Sequence, residues 1–127
     1  MKYLKTYNES LRDKMTPKSD EEILKELGDL TPDDMLFQSS KYNFLKGVKK
    51  ALEMGADINY KNKINNTSLI MSSGKGYKNV VELLLKNDAD VNIRNIGGFS
   101  ALNLASKKGY KEIVELLKKY GAKKWNI

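Results

Sequence analysis

The chain has no cysteine and no histidine. Without cysteine there is no disulfide, no thiol nucleophile and no zinc–thiolate site. Without histidine a Ser-His-Asp triad is excluded as well. Arg12 and Arg94 are the only arginines, and Pro17 and Pro32 the only prolines. No apolar run approaches the roughly 20 residues that span a bilayer. The N-terminus lacks the apolar segment of a secretion signal. These absences predict a cytoplasmic protein with no membrane partner, no metal and no cofactor.

No group of residues supplies the chemistry of an enzyme. Gly74-Lys75-Gly76 is too short for a phosphate loop, which needs a longer glycine-rich turn after a strand and a following Lys-Ser/Thr. Asp88 and Asp90 fall in a turn, where carboxylates accept backbone hydrogen bonds. Tyr77 and Tyr110 read as packing residues with their hydroxyls at the rim. No nucleophile stands beside a base.

What the chain does have is lysine. Its 127 residues, one domain's worth, carry a net charge of +7. Residues 1–33 hold 6 basic and 8 acidic groups, and residues 34–127 hold 17 basic and 8 acidic. An AT-rich coding sequence would by itself enrich lysine, asparagine, isoleucine and tyrosine, so the distribution of charge is more informative than its total.

The chain also repeats. Ala56-Asp57-Ile58-Asn59 returns 33 positions later as Ala89-Asp90-Val91-Asn92. Thr67-Ser68-Leu69 matches Ser100-Ala101-Leu102, and the tract from Gly76 to Leu84 matches that from Gly109 to Leu117. A fixed period of this size means stacked supersecondary units. A weaker copy precedes them, with Asp34 in the place of Thr67, Leu36 in that of Leu69, and Asn43-Phe44 in that of Gly76-Tyr77. Asn43, Gly76 and Gly109 mark breaks between paired helices, where the backbone needs left-handed φ/ψ. The second helices carry apolar stripes at Val48, Ala51, Leu52; Val80, Val81, Leu83, Leu84; and Ile113, Val114, Leu116, Leu117. Ala56, Ala89 and Ala122 stand where the chain leaves each pair.

Ahead of the repeats, residues 1–18 show no clean period and read as a flexible arm. Residues 19–30 read as a capping helix. Ser19 and Glu22 form a capping box, acids fill the first turn, and Ile23, Leu24, Leu27 and Leu30 make an apolar stripe. Thr31 then caps the next helix, with Pro32 at its first position. Seven helices are expected, one cap and three pairs.

The repeated pattern resembles the ankyrin repeat over residues 31–127, in units of about 31–63, 64–96 and 97–127. The resemblance implies an all-α helical repeat stack, a solenoid with an N-terminal capping helix and short β-turn fingers. The match has departures. The proline of the family's Thr-Pro-Leu-His box is Ser68 and Ala101 here, and its histidine is Ile70 and Asn103, so its Thr–His hydrogen bond is expected to be missing. Lys123-Lys124-Trp125 replace Asp-Val-Asn, so no final finger is expected and Trp125 is read as a lid on the stack.

The resemblance further implies a non-enzymatic protein-binding module, monomeric, that holds its partner on the concave side. Carried over position by position, that surface comprises Lys61, Lys63, Ile64 and Asn66 on one finger and Arg94, Ile96 and Phe99 on the next. Lys41, Tyr42, Lys75, Lys107 and Lys108 stand at the helix ends. The implied partner is an acidic protein surface with an apolar centre. Nucleic acid is not the expected partner, because the groove has one arginine and its lysines are read as interspersed with acids. The opening Met1-Lys2-Tyr3-Leu4-Lys5-Thr6-Tyr7-Asn8-Glu9 also resembles the leader of internal head proteins of large tailed phages, trimmed after a glutamate, although Tyr7 replaces the leader's Leu or Ile. That second resemblance implies a phage-encoded cargo or host-directed effector.

Overall fold

The computed structural model describes residues 18–124. Among them are seven α-helices: α1 (Asp20–Leu27), α2 (Pro32–Lys41), α3 (Leu45–Glu53), α4 (Ser68–Lys75), α5 (Lys78–Lys86), α6 (Ala101–Lys108) and α7 (Lys111–Lys119). The described residues contain no strand. The chain divides into two compact units, residues 1–57 and 58–127. The flexible-arm reading of residues 1–17 and the lid reading of Trp125 fall outside the described residues.

In the first unit α1 starts where Ser19 accepts the Glu22 amide at 3.2 Å. The expected capping box closes differently. The Ser19 hydroxyl donates to the Glu22 carboxylate at 3.2 Å, so the carboxylate is satisfied without reaching back to the Ser19 amide. Asp20, Glu21 and Glu22 face the positive end of the helix dipole. Ile23 and Leu27 are buried and α1 packs on α3, while Leu24 is half-buried.

Thr31 caps α2, accepting the Asp34 amide at 3.2 Å. This helix begins about one turn earlier than α4 and α6 do in the repeat register, because Thr31-Pro32 supplies a cap and a pre-set first φ where those repeats have a finger. Helices α2 and α3 approach closely at Gly47. A Cβ there would lie 2.1 Å from Ser39 Oγ and 2.7 Å from the Phe44 ring.

In the second unit α4 packs on α6 and α5 on α7, and each pair also packs within itself. The caps recur in register: Thr67 accepts the Ile70 amide and Ser100 the Asn103 amide, both at 3.2 Å. The helix breaks have left-handed φ of 59° at Asn43, 77° at Gly76 and 78° at Gly109. The second helices bury Val80, Val81, Leu84 and Leu85 in α5, and Ile113 and Leu117 in α7. Leu85 was not in the expected stripe, and Leu83, Val114 and Leu116 are half-buried rather than core. A 9-residue helix presents a broader face than one row of side chains, so the stripe drifts round it.

One expectation from the departures is corrected. The cap pairing is not missing from the last repeat. Asn103 accepts the Ser100 amide at 2.9 Å while Ser100 accepts the Asn103 amide, a complete capping box. The expected absence of a final finger extends into residues outside those described; within them the Lys123 amide donates to Asn92 Oδ1 at 2.7 Å. This repeats the bond from the Asp90 amide to Asn59 Oδ1 at 2.9 Å. The contact uses a backbone donor, so a lysine serves as well as an aspartate.

Candidate interaction surface

Two asparagines build the fingers. Asn62 Oδ1 accepts the amides of Ile64 and Asn66 at 3.1 and 2.9 Å, and the Asn62 amide donates to Asn66 O at 3.0 Å. Asn95 Oδ1 accepts the amides of Gly97 and Phe99 at 3.0 and 3.1 Å, and the Asn95 amide donates to Phe99 O at 3.0 Å. Each loop turns through a left-handed residue, Asn65 at φ 61° and Gly98 at φ 84°. Neither Asn62 nor Asn95 was among the expected site residues. The 33-residue register joins them, and an asparagine that folds a loop back on its own side chain is a known turn device.

The fingers are tied to one another. Asn95 Nδ2 donates to Asn66 Oδ1 at 2.9 Å, and the Ile96 amide donates to Ile64 O at 3.0 Å. Ile64 and Ile96 therefore sit on one platform, and both side chains face water, 46% and 70% exposed. The two isoleucines do not bury one another. Phe99 is half-buried beside Gly97, and the Lys107 ammonium lies over its ring, 5.4 Å from the centroid.

Lys61, Lys63 and Arg94 are exposed on the fingers, and Lys75, Lys107 and Lys108 are exposed at the ends of α4 and α6. Residues 60–77 and 93–110, which hold both fingers and both first helices, contain no acid. The reading that these lysines are interspersed with acids is corrected. The acids of the second unit, Glu82, Asp88, Asp90, Glu112 and Glu115, all belong to the second helices and the turn after them. Lys41 and Tyr42 belong to the first unit, where the Lys41 ammonium lies 5.5 Å from the Tyr42 ring centroid.

One lysine of the second helices in this unit is paired with carboxylates. Lys78 bridges Glu112 at 2.6 Å and Glu82 at 3.8 Å. Its hydrogen bond and charge hold the Glu112 carboxyl below its usual pKa, and Glu112 in turn raises that of Lys78. By contrast, Lys61, Lys63, Lys75, Lys107 and Lys108 meet no carboxylate among the described residues. No group of three acidic side chains is placed to hold a metal ion among those residues. No helix there is long and apolar enough to cross a membrane.

Paired helices joined by left-handed breaks, with looped fingers hydrogen-bonded side by side, define a helical-repeat interaction module. A family model of ankyrin repeats in three copies matches residues 36–127, and the chain belongs to that family. No curated protein matches it. Membership makes the chain a protein–protein interaction module of a family that is generally non-enzymatic.

Proposed function

We propose that the chain binds an acidic protein surface with an apolar centre, through its fingers and first-helix ends. One observation carries this reading: the finger and first-helix segments of the second unit hold exposed isoleucines among basic side chains and no acid. Apolar anchors ringed by charge are the usual anatomy of an energetic hot spot. The surrounding positive field would speed association and select against basic surfaces. On the same reading the repeating units are 31–63, 64–96 and 97–127, and the protein works as a cytoplasmic monomer.

The test compares what the wild-type chain and an Ile64→Ser/Ile96→Ser variant capture from the native cell, with mass spectrometry as the readout. Both residues are exposed, so the variant keeps its fold. Partners lost from the variant support the reading. Partners retained at full yield put the site elsewhere.

The context reading, a phage-encoded cargo or host-directed effector trimmed after Glu9, rests on residues 1–9 and is tested by the mass of the native N-terminus. Binding of nucleic acid is the lesser alternative, and it predicts affinity that falls steeply with salt.

A further inference from the structure

Lys107 is placed unlike Lys46 and Lys78 of the second helices, which both meet a carboxylate. Where a carboxylate is in reach a lysine takes it, as Lys78 takes Glu112 at 2.6 Å. Lys107 has no carboxylate partner among the described residues, and its ammonium rests over the Phe99 ring instead. At an exposed site a phenyl face holds a cation weakly, and a charge-assisted bond to a carboxylate is the stronger contact. A small residue stands against the edge of the ring. Residue 97 is glycine, and a Cβ there would stand 3.2 Å from Phe99 Cδ2. Ile96, the most exposed of the large apolar side chains among the described residues, stands in the same finger.

We propose that Phe99 and Lys107 form a coupled receptor for an acidic–apolar peptide segment, one with an Asp or Glu within a few residues of a large apolar side chain. The partner's carboxylate draws the Lys107 ammonium off the ring. Its apolar side chain then takes the uncovered ring face beside Ile96. Each event favours the other, since the ring face is free only while the ammonium is engaged elsewhere. This deepens the interaction reading above and rests on it.

The full chain is titrated with fluorescent synthetic peptides that carry Glu and Leu, Gln and Leu, or Glu and Ser at matched positions. The expected result is that the Glu–Leu peptide binds best and that Lys107→Gln weakens it by about tenfold. The same variant should leave the Gln–Leu peptide nearly unchanged, and Lys107→Arg should retain binding. Phe99→Leu keeps apolar bulk but has no ring, so it should abolish the non-additivity between the Glu and Leu substitutions. By NMR, the ε-methylene of Lys107 should carry a ring-current shift in the free chain and lose it when the Glu–Leu peptide binds.

Three outcomes overturn the proposal. One is a Glu–Leu peptide that does not bind at millimolar concentration. Another is binding weakened by Lys61→Glu with Lys75→Glu but indifferent to Lys107→Gln and Phe99→Leu, which removes the coupled receptor and leaves the interaction reading standing. The third is labelled single-stranded oligothymidine binding more tightly than every peptide, which removes both.

Discussion

At the scale of the residue, the left-handed positions carry the repeat. Gly76 and Gly109 occupy equivalent breaks at φ 77° and 78°, yet they are not equally demanding. A Cβ on Gly109 would meet nothing within 4 Å, whereas one on Gly76 would lie 2.9 Å from Tyr110 Cζ. Gly109→Ala should therefore cost only the backbone term, about 1–2 kcal/mol. Gly76→Ala should cost that and about 1–3 kcal/mol more from overpacking against the ring. Urea denaturation of the two variants measures the difference, and equal costs would mean that Tyr110 swings aside freely. Asp88 offers the converse case. It holds φ 66° where the other repeats use Gly55 and Gly121 at 88° and 89°. Its side chain is exposed. Asp88→Gly should raise stability by up to about 1 kcal/mol, the strain of a non-glycine residue there less the added freedom of the unfolded chain. A loss of stability would reveal a role for the carboxylate.

At the scale of the element, α1 is the piece whose removal reads out most directly. Its Ile23 and Leu27 are fully buried and the helix packs on α3. Leu27→Ala should cost about 2–5 kcal/mol, as buried leucines do. For a domain of this size that lowers the melting temperature by on the order of 10 °C or more. A variant that melts like the parent would make α1 a passive appendage. Inside α4 the expectation reverses. The hydroxyls of Ser68 and Ser73 are buried without a partner, while Ser72 donates to Ser68 O at 2.8 Å. Ala101, also buried, replaces Ser68 in the next repeat. Ser68→Ala should then be neutral or stabilising by about 1 kcal/mol, since an unsatisfied buried hydroxyl is removed; a clear destabilisation would show an unseen partner.

The elements were also the part most legible in advance. Helix breaks, caps and the 33-residue register are written in local residue types, so Asn43, Thr31 and Thr67 could be placed from sequence. The finger ties could not. Asn66 and Asn95 look like ordinary loop residues until the fold sets one finger beside the other. The Asn103 capping box is not legible from the family pattern, which has histidine at that position, although any acceptor able to reach the cap amide serves. The cation over Phe99 depends on a side-chain rotamer that no spacing encodes.

At the scale of the whole molecule, the absence of histidine and the excess of lysine make opposite demands on experiment. Glu112 has its pKa lowered by Lys78, so its share of stability is present above the usual carboxylate value of about 4.3 and is lost as pH falls through the depressed one. Lys78 has its pKa raised by Glu112, so its share is present below about 10.4 and is lost as pH rises through the elevated value. Both groups are exposed, which keeps either contribution small. With no histidine to titrate between them, the melting temperature should be flat from about pH 6 to pH 9. Salt should act differently. Residues 34–127 set 17 basic groups against 8 acidic ones, so repulsion outweighs the few exposed ion pairs. Raising sodium chloride from about 10 to about 100 mM shortens the screening length from about 30 to about 10 Å. Repulsion between separated lysines is then damped more than attraction within contact pairs. The melting temperature should rise across that range at pH 7. A fall would mean that the surface ion pairs, Lys78–Glu112 foremost, stabilise the fold more than the lysine excess strains it.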